Sequence, residues 1–202
     1  MSNLTEKVAL VTGGSRGIGA AIAKRLAADG ASVAITYAKD ASAASAVVKA
    51  IERNGGKAVA IQADAADVEA VKRAVEMTVA TFGRLDVLVN NAGTAIPKTF
   101  EETTMEEMDR VININVRGIL ATTQAALKHM KSGGRIIMIG SAVGERVLVP
   151  GLVAWKRWHR RCANDKRGGE KQRSNSGPHG RSFDRHIHIL VCRVKAWALC
   201  DI

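Results

Sequence analysis

Several features are scarce in this 202-residue chain, and each scarcity removes a class of function. No uninterrupted apolar run approaches the roughly 18–20 residues that a helix needs to cross a bilayer, so no membrane partner is expected. The opening Met1-Ser2-Asn3-Leu4-Thr5-Glu6 lacks the basic segment and apolar core of a secretory leader, and a cytoplasmic location is expected. Three cysteines without close spacing give neither a disulfide framework nor a zinc motif, so no metal is expected. Tyrosine occurs once, as Tyr37.

What is abundant is positive charge, a net of +11. It is unevenly placed. Residues 1–154 hold 18 Lys/Arg against 15 Asp/Glu, whereas residues 155–202 hold 12 against 4. The excess therefore belongs to the tail and not to a basic face of a folded domain, and no nucleic-acid partner is expected. All three Trp, all three Cys and four of the five His also lie beyond Ala154. Residues 160–182 carry almost no apolar side chain and neither structural period, so they are expected to be irregular. The chain divides into one domain, 1–154, and a basic, irregular tail, 155–202.

Within the domain, apolar runs alternate with helical patterns. Val8–Thr12, Ser32–Thr36, Ala58–Gln62, Asp86–Asn90 and Arg135–Ile139 read as strands built on apolar runs rather than on alternation, the pattern of a parallel sheet covered on both faces. Helices are expected between them. One carries Ile18, Ile22 and Leu26 and is closed by Gly30. A second spans 41–54. A third has Val68, Val71, Val75, Val79 and Phe82 on one stripe. A long one runs from Thr104 to Lys131, with Met105, Met108, Ile112 and Ile119 marking its apolar face. Right-handed crossovers then give an α/β, doubly wound, Rossmann-type sheet in the order 3-2-1-4-5, with a ligand at the carboxyl edge of the strands.

Thr12-Gly13-Gly14-Ser15-Arg16-Gly17-Ile18-Gly19 joins the first strand to the first helix. Glycines there permit a tight turn and let a phosphate approach the backbone, and the helix N-terminus offers free N–H groups. This segment resembles the TGxxxGIG signature of the classical short-chain dehydrogenase/reductase family. Asn90-Asn91-Ala92-Gly93 resembles the family's NNAG signature, Asn115-Val116-Arg117-Gly118 the segment with its catalytic Asn, and Ser141 its catalytic Ser. Asp64 matches the family's adenine-contacting Asp.

The resemblance implies a cofactor site at Gly13, Ser15, Arg16, Gly17, Ile18, Gly19, Tyr37, Asp64, Ala65, Asn91, Ala92 and Gly93, with catalytic Asn115 and Ser141. It implies hydride transfer between a nicotinamide and a small carbonyl or alcohol, in the manner of a 3-oxoacyl reductase, by a homo-oligomer. No carboxylate stands at the tip of the second strand, which ends Thr36-Tyr37-Ala38-Lys39, and Arg16 lies in the glycine loop. A cation without a competing carboxylate favours NADP over NAD.

One departure matters. The family follows its Ser with a Tyr and Lys in a YxxxK pattern, the Tyr acting as acid/base. Here Trp155 stands nearest the Tyr position and His159 nearest the Lys. An indole only donates and does not titrate usefully. The C-terminal strands are expected to be missing. The break near Ala154 fits a reading frame lost there; the alternative is a genuine basic appendage for an acidic partner. Two functions stay open: a reductase by descent with weakened turnover, or an inactive nucleotide-binding or interaction protein.

Overall fold

The computed structural model describes residues 4–141 and 188–194, with side chains described for residues 4–140. Strands and helices alternate in the expected order: β1 Val8–Val11, α1 Gly17–Ala28, β2 Ser32–Tyr37, α2 Ala41–Arg53, β3 Lys57–Gln62, α3 Val68–Phe82 and β4 Val87–Asn90. Then come α4 Met105–Ile112, a π turn Asn113–Gly118, α5 Ile119–Leu127, β5 Arg135–Ser141 and β6 His188–Val194.

The sheet is parallel in the order β3-β2-β1-β4-β5-β6. Its first five strands follow the expected 3-2-1-4-5. The expectation that the C-terminal strands are missing is corrected by β6, which runs beside β5 from Arg135↔His188 to Ser141↔Val194. Its centre, Ile189-Leu190-Val191-Cys192, is a short apolar run of the kind a parallel sheet buries. The basic composition of the tail hides it. Trp155, His159 and the expected irregular stretch 160–182 lie outside the described residues.

Successive residues of a strand face opposite sides, and β1 shows it. Ala9 and Val11 pack with Ala20, Ala23 and Ala27 of α1 and Val47 and Ile51 of α2. Leu10 packs with Ala70, Ala74 and Val75 of α3 and Ala125 and Ala126 of α5. Two helices thus cover each face. On α1 the buried line is Gly19, Ala20, Ala23 and Ala27, not the expected Ile18, Ile22 and Leu26. Small side chains let the helix lie close to the sheet; Ile22 and Leu26 pack at the margin, and Ile18 is exposed.

The long helix departs further. Met105 and Ile112 were expected to face inward, yet they are 66% and 53% exposed. The buried positions are Ile114, Gly118, Ala121, Thr122, Ala125 and Ala126. The π turn is the reason: it takes more residues per turn than an α-helix, so one 3.6-residue period does not run through it.

At the amino edge of the sheet, Asp86 ties β4 to β1. Its carboxylate accepts the Val8 N–H at 3.0 Å and two Arg84 bonds at 2.8 and 2.6 Å, with Lys7 Nζ 3.6 Å away. Burial pushes the Asp86 carboxyl up, but the Arg84 and Val8 hydrogen bonds outweigh it and hold the pKa below the usual value. A depressed folded pKa gives stability that is present above the unfolded pKa, about 3.9, and lost as pH falls through the folded one. Asp86→Asn is expected to lower stability near neutral pH by about 1–3 kcal/mol and to flatten the loss of stability below about pH 4. Denaturant midpoints taken in neutral and acidic buffer check this. An acid limb as steep as in the unaltered protein would count against Asp86 as its source.

Candidate cofactor cleft and active site

The strand order reverses between β1 and β4, and the chain leaves those two strands in opposite directions. A crevice forms at their carboxyl ends. Thr12 stitches its floor. Its hydroxyl accepts the N–H groups of Asn91 at 2.9 Å and Ala92 at 3.0 Å and donates to the Val89 carbonyl at 3.3 Å. Asn91 Nδ2 returns two bonds, to the carbonyls of Thr12 at 2.9 Å and Gly13 at 3.1 Å. The glycine loop is pinned on its other side by β2, where Gly13 N–H donates to Thr36 Oγ1 at 3.0 Å and Gly14 N–H to the Thr36 carbonyl at 2.9 Å. Thr36 and the hub role of Thr12 were missed by sequence reading. A polar residue closing an otherwise apolar strand was the available signal.

Two glycines in this loop do what other residues cannot. Gly13 has φ +64°, a backbone conformation that side chains disfavour. Gly19 is packed so closely that a Cβ there would overlap both Asn91 Nδ2 and the Gly13 carbonyl oxygen. Next to them the N-terminus of α1 is free. Arg16 at the cap position makes no side-chain cap, and no acidic residue sits in the first turn. By contrast α2 and α3 are capped by Asp40 and Asp67, and α4 by a Thr104–Glu107 capping box. A Cβ built on Gly17 meets no described atom within 4 Å. Open backbone amides, a positive helix end and empty space beside them suit a phosphate.

The remaining expected cofactor residues gather on the same edge. Tyr37 ends β2 and is half-buried, and Asp64 and Ala65 follow β3. Asn91, Ala92 and Gly93 follow β4. Ser15 is half-buried, while Arg16, Gly17 and Ile18 are exposed at the mouth. Asp40 does not compete for a ribose hydroxyl at the tip of β2, because its carboxylate is turned into the α2 cap. The Ala43 N–H and then the Ser42 hydroxyl hold its pKa low. For Asp64, burial pushes the pKa up, but the Ala66 N–H and Arg110 prevail and keep the carboxylate ionised.

Asn115 lies in the π turn, half-buried, and clasps the loop after β4. Its Oδ1 accepts the Thr94 N–H at 3.0 Å and its Nδ2 donates to the Thr94 carbonyl at 2.7 Å. Each end of the amide keeps one further bonding position. Ser141 is the last residue of β5, at the same carboxyl edge, in register with Val194. Asn90, the first residue of the Asn-Asn-Ala-Gly segment, is fully buried and donates to Thr123 Oγ1 at 3.1 Å. No group of acidic, His or Cys side chains that could hold a metal occurs among the described residues. No described helix is long and apolar enough to cross a membrane.

A family model described as short chain dehydrogenase matches residues 7–155. An uncharacterized oxidoreductase of Methylorubrum extorquens is 53% identical over 150 residues, which are 74% of this chain and 60% of that protein. Elsinochrome reductase 1 of Elsinoe fawcettii is 48% identical over 74% of this chain and 56% of its own length. A short chain dehydrogenase from Burkholderia cenocepacia, crystallised in complex with NADP, superposes with a TM-score of 0.72 at 54% identity. That match covers 74% of this chain and 61% of the other. The chain spans about three fifths of the length of the relatives it matches.

Proposed function

We propose a function from the premise that this chain belongs to the short-chain dehydrogenase family, whose model covers residues 7–155. The reading is an NADP(H)-dependent oxidoreductase acting on a ketone, a 3-oxoacyl compound or the corresponding alcohol. The observation that carries it is the uncapped N-terminus of α1 beside Gly13 and Gly17, the one feature of the cleft that fits a pyrophosphate. The B. cenocepacia relative with bound NADP supports the choice of cofactor.

Each residue then has a task. Ser15, Gly17, Ile18 and Gly19 offer backbone N–H groups to the pyrophosphate, and Gly13, whose own N–H is spent on Thr36, makes the turn that lets it approach. Arg16 supplies a cation to the ribose 2′-phosphate, with Lys39 on the same edge. Tyr37, Asp64 and Ala65 flank the adenosine, and the ionised Asp64 accepts from its exocyclic amine. Asn91, Ala92 and Gly93 border the nicotinamide ribose. The bound nicotinamide supplies or takes the hydride. Ser141 donates a hydrogen bond to the substrate oxygen, and Asn115 holds a water for the proton path.

NADPH is expected to bind more tightly than NADH. Arg16→Ala is expected to narrow the difference by about tenfold, the loss of one charge-assisted contact worth about 1.5 kcal/mol. Fluorescence titrations of both cofactors against both proteins measure it. Equal affinities, unchanged by the substitution, would overturn the assignment. Self-association is proposed through the exposed side chains Met105, Ile112, Leu120 and Leu127 of the long helix, which a second copy would cover. Sedimentation of Leu120→Glu beside the unaltered chain checks it: a dimer or larger in both would rule this face out.

A further inference from the structure

The two ends of the cleft are bolted to one stretch of helix. After β3 the chain runs Ala63-Asp64-Ala65-Ala66 before α3. One oxygen of Asp64 accepts the Ala66 N–H at 3.0 Å, and the other accepts Arg110 Nη2 at 3.2 Å. Arg110 stands in the last turn of α4. Further along the same helix, Gly118 closes the π turn directly against the Ala65 carbonyl, where a Cβ would overlap the oxygen. Between Arg110 and Gly118, Asn115 grips Thr94 through both ends of its amide. The helical stretch from Arg110 to Gly118 is therefore fixed by segment 64–65 on one side and by loop 92–94 on the other.

The space between these parts is small. A cavity of about 10 Å³ is bordered by Ala65, Ala92, Ile114 and Gly118, roughly room for one water. The Asp64 and Arg110 side chains are themselves 35% and 52% exposed, but Ala65 meets Gly118 directly, so a displacement of Ala65 toward the helix is passed to the π turn. Contiguous packing gripped from two sides carries coupling when the gripped element has two arrangements that both sites bias, and here the π turn is the candidate element.

We infer that Arg110 is a positioning residue that transmits occupancy of the Asp64–Ala65 segment to Asn115 through the π turn. The inference rests on the reading of this cleft as an adenine dinucleotide site. Arg110 touches neither reacting atom. It holds the orientation of Asp64 so that a ligand contacting only the adenosine end tightens the helix turn at the far end. Cofactor capture and the presentation of Asn115 then become one event, and by linkage a ligand on Asn115 tightens adenosine binding by the same factor.

The test uses the full 202-residue chain and adenosine 2′,5′-bisphosphate, which carries the adenine and the 2′-phosphate but no nicotinamide. Hydrogen exchange is followed at the amides of 13–19 and 113–118 with and without the probe. In the unaltered chain the probe is expected to slow exchange in both segments, by about fivefold at 113–118. In Arg110→Ala, compared at equal saturation, protection at 13–19 stays and protection at 113–118 is lost; Arg110→Lys restores part of it. Equal protection of 113–118 in the unaltered chain and Arg110→Ala overturns the inference. So does binding to the unaltered chain without any effect there, which leaves the cofactor reading standing. Failure of the probe and of NADPH to bind the unaltered chain overturns both.

Discussion

With NADPH and a panel of ketones and 3-oxoacyl thioesters, the full chain is expected to turn over about 10²–10⁴-fold below the ordinary enzyme rate of about 10 s⁻¹. The cause is a missing proton. A hydride delivered to a carbonyl carbon leaves an alkoxide, and a positioned acid must protonate the oxygen. The chain's one tyrosine, Tyr37, ends β2, away from Ser141 on β5. Trp155, nearest the position at which family members carry their acid, has an indole that cannot release a proton usefully. His159 could titrate, but Lys156, Arg157, Arg160 and Arg161 surround it in sequence and disfavour its protonated form. On the proposed reading, what remains is the hydrogen bond assigned to Ser141, and water. Stopped-flow or steady-state NADPH oxidation decides the matter. A rate near 10 s⁻¹ would show that residues 142–202 supply an acid that the sequence does not reveal.

Gly19→Ala carries the second large effect. The added methyl would enter the position of both Asn91 Nδ2 and the Gly13 carbonyl. Those two groups are themselves hydrogen-bonded at 3.1 Å, so neither can withdraw without breaking the tie between the glycine loop and β4. Asn91 is further held by Thr12 through its backbone and its side chain. The substitution is expected to cost about 1–3 kcal/mol of stability, as overpacking of a tight site does, and to weaken NADPH binding at least about tenfold by moving the amides meant for the phosphates. Gly17→Ala is the informative partner: its Cβ would meet no described atom, but its φ of +53° is strained for alanine. It should perturb the loop with less effect on stability. Thermal melts and cofactor titrations on both variants separate packing from backbone conformation. Near-native NADPH affinity in Gly19→Ala would show that the cleft is looser than its hydrogen bonds imply.

The sheet was legible because its signal is local. β1, β2 and β4 are apolar runs closed by turn residues, and burial on both faces demands that pattern. The glycine loop was legible for a related reason: a tight turn at a strand end restricts residue type more than most positions do. The long helix was misread at Met105 and Ile112, because a helical period assumes a constant number of residues per turn and Asn113–Gly118 breaks that assumption. On α1 the eye goes to Ile18, Ile22 and Leu26, but close approach to the sheet selects alanine. β6 was hidden because its short apolar run, Ile189–Cys192, was averaged into the composition of a basic tail. Thr36 and Arg110 act through partners distant in sequence, Gly13 and Asp64, and no reading of spacing brings those pairs together.

The wide turn at Asn113–Gly118 also sets how this gene segment can change in length. A wide turn of this kind holds one residue more than an α-helix would, and it absorbs that residue locally, so α4 and α5 keep their faces. Removing one residue from 113–118 would restore ordinary winding with Arg110 still near Asp64 and with Ala121, Ala125 and Ala126 still seated on the sheet, while Asn115 would lose its place opposite Thr94. A one-residue deletion there should therefore leave a folded, cooperative domain whose clasp on loop 92–94 is gone. The same deletion inside α5, where each residue advances about 100°, would turn its buried alanines to solvent and unfold the protein. Length variation among descendants of this chain should avoid α5 altogether, and where it reaches the wide turn it should go together with loss of the asparagine at position 115.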